Sequence, residues 1–146
     1  TMGDLEGLLP ERPSIRLVKG AYREPAALAW QRPAEVDAAY LNLAERLLSE
    51  RRAGRVGRVG IATHDPRLVA EVERTAARLG VERDAYEVQM LYGIRTEGVR
   101  ALRARGQPVR VLISYGEAWF PWYVRRLAER PANLALLARN LLPARG

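Results

Sequence analysis

Val56-Gly57-Arg58-Val59-Gly60-Ile61-Ala62-Thr63-His64-Asp65-Pro66 decides the fold. An apolar, β-prone run over 56–63 ends in polar residues and meets a proline, and helix-like sequence follows over 66–79 until Gly80. Proline suits a first helical turn, where its missing N–H costs nothing. The same change of rhythm recurs along the chain. Residues 14–19 are a near-continuous apolar run, the pattern of a strand covered on both faces. Residues 36–53 carry a helical stripe of Val36, Ala39, Tyr40, Leu43, Leu47 and Leu48 behind Pro33. A third strand is expected over 85–91, with Gly93 leading to a helix over 96–105 that Gly106 closes. A fourth strand is expected over 108–114, followed by helices over 119–130 and 134–142, parted by Pro131. Regular strand–helix alternation implies right-handed crossovers and an α/β fold with a parallel sheet.

Composition narrows the classes. At 146 residues, 48% of them hydrophobic, the chain can bury one core. No stretch is long and apolar enough to span a bilayer, and the start lacks a secretory apolar region. Without cysteine there is no disulfide scaffold and no thiolate chemistry, which agrees with a reducing cytoplasm. The net charge of +7 raises the question of nucleic acid. Yet the arginines are dispersed and many stand beside Glu, and the one cluster, 51–58, is punctuated by glycine. No zinc-finger spacing, basic zipper or RNA-binding aromatic signature accompanies it. A solvated basic surface is the simpler reading, with a weak attraction to anionic membranes or acidic partners.

Four βα units are an incomplete count for a closed barrel, which takes eight and roughly 250 residues. A stand-alone open sheet of four strands would also satisfy the count, but the strand-end chemistry points to half of a TIM-like (β/α)8 barrel over residues 1–146, with residues 1–13 as a polar lead. Such a half leaves two strand edges unpaired, so a partner half is expected in another chain or in a removed segment.

Parallel α/β proteins keep their chemistry at the carboxyl ends of strands. The polar residues there are Arg16, Lys19 and Tyr22, then Thr63, His64 and Asp65, then Gln89 and Tyr92, then Ser114, Tyr115 and Glu117. Lys19 is the sole lysine among 24 basic residues and His64 the sole histidine. Arg16 inside a strand needs partners for its charge and five donors, met equally well by an interior salt bridge or by a ligand. Lys19-Gly20-Ala21 permits close approach of a flat or phosphate-bearing ligand, although Gly20 also serves simply to end a strand. A lone histidine with no cysteine offers no metal set. Trp119-Phe120-Pro121-Trp122-Tyr123-Val124-Arg125-Arg126 places aromatics on a first helical turn before paired arginines, with Glu129 positioned to orient either one. Two guanidiniums beside an aromatic wall suit a small carboxylate on an apolar body. A surface helix with an ordinary ion pair accounts for Glu129 but poorly for the aromatics. A Gly-x-Ser-x-Gly elbow, a dinucleotide glycine motif and a glycosidase carboxylate pair are all missing.

Taken in order, Arg-Leu-Val-Lys-Gly-Ala-Tyr (16–22), Ala-Thr-His-Asp-Pro (62–66), Gln-Met-Leu-Tyr-Gly (89–93), Tyr-Gly-Glu-Ala-Trp (115–119) and Arg-Arg-Leu-Ala-Glu-Arg-Pro (125–131) resemble the C-terminal half of proline dehydrogenase of the monofunctional bacterial type. The likeness runs over about 15–142. It implies FAD-dependent oxidation of L-proline to Δ1-pyrroline-5-carboxylate by hydride transfer to flavin N5, the first step of proline catabolism, with a quinone as electron acceptor. On that resemblance Arg16 corresponds to an arginine at the flavin N5 edge, and Lys19, Gly20 and Ala21 to further FAD contacts. Thr63 and His64 correspond to contacts on the nucleotide side of the cofactor. Arg125 and Arg126 correspond to the grip on the proline carboxylate, oriented by Glu129, and Leu91 to a contact with the proline ring. The resemblance also implies a cytoplasmic protein in peripheral contact with the inner face of the bacterial membrane.

The chain departs from the family pattern at three places. Leu112 stands where a tyrosine is usual, Val88 where a phenylalanine is common and Trp122 where a tyrosine is common. These bear on substrate fit more than on cofactor binding. The family's first four strands supply a further lysine and FAD contacts, so this chain alone is not expected to be a competent enzyme. Two other functions stay open on the residues: a different flavin-dependent barrel oxidoreductase, and a non-catalytic basic barrel fragment for nucleic acid or an acidic partner.

Overall fold

The computed structural model describes residues 2–19, 24–117 and 119–121. Their order is α1 (Met2–Leu8), a 3-10 turn (Leu9–Glu11), β1 (Ile15–Val18), α2 (Pro33–Arg52), β2 (Val59–Ala62), α3 (Pro66–Leu79), a 3-10 turn (Arg83–Ala85), β3 (Tyr86–Leu91), α4 (Thr96–Ala104) and β4 (Val109–Leu112). The four strands form one parallel sheet in the order β1-β2-β3-β4. That is the expected α/β arrangement.

α3 shows why the local sequence folds as it does. Leu68, Val69, Val72 and Ala76 fall on one face and are buried. The Asp65 carboxylate accepts the Arg67 amide at 3.0 Å, satisfying a first-turn donor, and Pro66 follows at the helix start. Gly80 ends the helix at φ 65°, where its N–H bonds to the carbonyls of Ala76 and Ala77. α2 starts at Pro33, earlier than the apolar stripe indicates, and buries Tyr40, Ala44, Leu47 and Leu48.

One face of the sheet carries the helices. Ile15 and Leu17, Val59 and Ile61, and Tyr86 pack with α2 and α3 in one apolar cluster. A smaller cluster joins Val88 and Met90 to Val69, Leu102, Val99 and Val109. The alternate residues of every strand point the other way, because successive strand side chains alternate in direction. No described element covers that second face. β2 is buried at all four positions, whereas β1 and β4 are half-covered edges.

Within the polar lead, residues 2–8 form a short helix, held by buried Leu5 and by Arg46 donating to Glu6 at 2.8 Å. One expected strand is shorter than the sequence indicates. β2 occupies only Val59–Ala62, since Val56 is buried in the preceding turn rather than in the ladder. Residues 119–121 are helical. The rest of the two expected C-terminal helices, with Trp122, Arg125, Arg126 and Glu129, lies outside the described residues, as do Gly20 and Ala21.

Candidate active site

The uncovered face is built from Arg16 and Val18 on β1, Gly60 and Ala62 on β2, Glu87, Gln89 and Leu91 on β3, and Arg110 and Leu112 on β4. Register sets Arg16 beside Gly60 and Gly60 beside Glu87, while Gln89 lies beside Arg110 and Leu91 beside Leu112. A run of hydrogen bonds crosses it. Arg16 Nε donates to Gln89 Oε1 at 2.6 Å, and Gln89 Nε2 donates to Glu87 Oε1 at 2.5 Å. Arg110 then grips both oxygens of Glu87, Nε at 2.6 Å and Nη2 at 3.0 Å. The Arg110 hydrogen bond is the main reason the Glu87 carboxyl is held below its ordinary range, against a desolvation that acts the other way. Glu87 is therefore an anion at neutral pH. Arg16, for its part, commits its Nε to a neutral amide, and no carboxylate among the described residues forms the interior salt bridge weighed from sequence.

Lys19 continues β1 through its backbone N–H, which bonds to the Ala62 carbonyl at 3.1 Å. Its side chain turns to the helix side, pairing with Asp37 of α2 and lying 3.7 Å from Asp65. What Lys19 offers at the strand exit is thus chiefly main chain. Asp65 is depressed to about 2, first by the Arg67 hydrogen bond, with the Arg67 and Lys19 charges adding to it.

At the second exit Thr63 is buried, and its hydroxyl accepts the Asp65 amide at 3.1 Å. His64 reaches across to β3, where the Leu91 amide donates to its Nε2 at 3.4 Å. His64 and Leu91, which the motifs assign to different parts of a ligand, are therefore neighbours. Leu112, one of the three departures, stands opposite Leu91 and is 49% exposed. Val88, another, belongs to the helix side and is fully buried, so it has no access to the uncovered face.

Sequence reading passed over Arg110 and Glu87. The signal was present, since Val109-Arg110-Val111 repeats the apolar–Arg–apolar alternation of Ile15-Arg16-Leu17. The arginine cluster at the end of α2 and just beyond it is largely spent on structure. Arg51 Nε donates to the Ala85 carbonyl at 3.1 Å, Arg52 to the Leu79 carbonyl, and Arg55 to both oxygens of buried Glu50. Those contacts argue against a nucleic-acid patch there.

A separate open groove of about 620 Å³ lies between β1, α2 and residues 24–30, lined by Leu17, Trp30, Val36, Tyr40 and Leu43 among others. It is on the helix side of β1. No helix among the described residues is long and apolar enough to cross a membrane.

Comparison with known proteins shows the family. Residues 11–139 match the proline dehydrogenase family. The chain is 42% identical over 142 residues to a proline dehydrogenase of Deinococcus radiodurans, covering 97% of this chain and 44% of that protein. It is 35% identical over 141 residues to proline dehydrogenase 2 of Bacillus subtilis, covering 97% and 45%. This chain thus spans less than half the length of these curated relatives. Among solved structures, proline utilization A from Bdellovibrio bacteriovorus, inactivated by N-propargylglycine, superimposes with a TM-score of 0.77 at 24% identity, over 99% of this chain and 17% of that one. The superposition carries the fold, that of a β/α-barrel segment, and the sequence match carries the kinship: this chain belongs to the proline dehydrogenase family.

Proposed function

We propose that this chain supplies the C-terminal half of an FAD-dependent L-proline dehydrogenase and contributes part of its active site. The observation that carries the reading is Arg16, a strand arginine held by a neutral amide on the uncovered face of the sheet. Among the described residues no carboxylate bonds to it, and a cation in that state suits a ligand that becomes electron-rich.

The residues fit a flavin. Gly60 and Ala62 keep β2 low, and Val18, Leu91 and Leu112 add apolar surface for a flat ring system, while Arg16 supplies the donor. Lys19, Gly20 and Ala21 contribute further contacts to the cofactor, and Thr63 and His64 border its remote end. Bound FAD supplies the two-electron acceptor for the hydride that leaves proline C5 as Δ1-pyrroline-5-carboxylate forms. Arg16 stabilises negative charge that develops on its ligand, and its fixed orientation costs no reorganisation at that moment. Arg125 and Arg126, oriented by Glu129, hold the proline carboxylate. Leu91 packs on the ring and sets its distance.

Strands from the other half of the barrel would cover the β1 and β4 edges. Reoxidation by a membrane quinone completes the turnover, which brings the enzyme to a membrane surface.

Denaturing electrophoresis and a visible spectrum on one purified sample test the reading. A companion polypeptide and a flavin spectrum that proline bleaches are the expected result. A flavin that proline leaves oxidised moves the chain to another flavin-dependent barrel, and a colourless sample removes the cofactor assignment. In the bleaching enzyme, Arg125→Ala or Arg126→Ala should weaken proline binding by about 2–5 kcal/mol, because half of a desolvated carboxylate loses its partner. Unchanged proline affinity in both variants would sink the clamp.

A further inference from the structure

Gly60 sits inside β2 with Arg16 on one side and Glu87 on the other. It is not among the described glycines with positive φ, so its backbone does not need the freedom that glycine offers. What it provides is the absence of a side chain. A Cβ built there would stand 2.6 Å from Gln89 Nε2 and 2.9 Å from Gln89 Cδ. Glycine weakens a strand interior, and it often marks a place where another group approaches the backbone closely. Here the approaching group is the Gln89 amide. It lies over β2 and so reaches from β3 to Arg16 on β1, a bond between strands that are not neighbours.

The direction of that amide is also set. A glutamine amide has one donor end and one acceptor end, whereas an ionised carboxylate only accepts. Glu87, kept ionised by Arg110, takes the donor end of Gln89 and turns its oxygen toward Arg16 Nε. We propose that Gly60, Gln89 and Glu87 are positioning residues that fix the Arg16 guanidinium for its ligand. Arg110 anchors the row from β4. Arg16 then meets the ligand with Nε committed and its terminal nitrogens as donors. The identity of that ligand as a flavin rests on the function proposed above, whereas the positioning itself does not.

Gly60→Ala is the sharpest test, because the atoms it displaces are the far end of one flexible side chain and the strand need not move. Gln89→Leu, similar in size but without an acceptor, is the second variant. In the flavin-loaded protein that carries this chain, each should lower kcat for proline about a hundredfold, the scale of a misplaced reacting geometry. KM should stay within about twofold, since ground-state binding of proline is untouched. The flavin midpoint potential should fall toward that of Arg16→Met, since a displaced cation stabilises the reduced flavin less. An independent readout uses protein without cofactor. The Arg16 Nε–H resonance, assigned by its loss in Arg16→Lys, should be slow to exchange with water in the parent and fast in both variants.

Equal protection of that proton in the parent and both variants overturns the proposal, whatever the flavin does. So does a fall in kcat at the parental potential with the proton still protected, which would mark a packing effect. If the proton responds as expected but the parent protein takes up no flavin, the positioning set stands and the flavin reading fails.

Discussion

Asp65 shows how much one side chain at a strand exit can settle. It caps α3 through the Arg67 amide, receives the Arg67 guanidinium at 2.8 Å and lies near Lys19, which also pairs with Asp37. Asp65→Ala should lower stability by about 1 kcal/mol in urea unfolding, the usual loss for a helix cap. Its acidity gives a second test. The folded carboxyl titrates at about 2 against an ordinary 3.8, so its stabilisation is complete above the higher value and disappears as pH falls toward the lower. Asp65→Asn should therefore flatten the acid limb of a stability–pH curve between those values and leave the neutral region with a constant offset. Legibility at this scale was uneven. The alternation of Arg16 with Leu17 and Val18 exposed it as unusual, and Gln89 stood out as a polar strand-end residue. Their bond was hidden, because it depends on a glycine in the strand that lies between them. A lone strand glycine does not announce what lies above it.

Among the elements, α3 was the most legible, with Pro66 and Gly80 at its observed limits. Both ends carry local chemistry that needs no tertiary partner. At Gly80 the φ of 65° penalises any residue with a Cβ, so Gly80→Ala should cost about 1–2 kcal/mol, measured by thermal or urea unfolding. Space is not the reason, since the nearest atoms a Cβ there would meet are those of the Arg52 guanidinium at 3.7–3.8 Å. α1 was illegible for the opposite cause. It is two turns long, contains Gly3 and Gly7, and has one buried residue, so no apolar stripe could reveal it. Tertiary contacts from Leu5 and Glu6 hold what propensity would not. The short span of β2 had a similar origin, because Val56 is apolar for burial in a turn and not for a ladder.

For the whole molecule, the βα rhythm disclosed a parallel sheet, and the count of four disclosed that a closed barrel was not complete within it. Among the described residues one sheet face and both sheet edges are bare: Val18 is 47% exposed on β1 and Ile113 57% exposed just beyond β4. The two apolar clusters are unequal, however, and no pattern in the sequence foretold it. Most of the core joins β1, β2 and β3 to α2 and α3, and a smaller part serves α4 and β4. Because each strand pairs with the next in sequence, the sheet can grow one unit at a time without waiting for distant segments. The inequality then sets a direction in time. The α2–β2–α3 region should form the folding nucleus, and α4 with β4 should dock after the barrier. Leu47→Ala should slow refolding, whereas Leu102→Ala should chiefly hasten unfolding, a contrast that the two arms of a chevron plot would display. A chain emerging from the ribosome would thus secure the strand bearing Arg16 before the strand bearing Arg110 is available to complete the polar row.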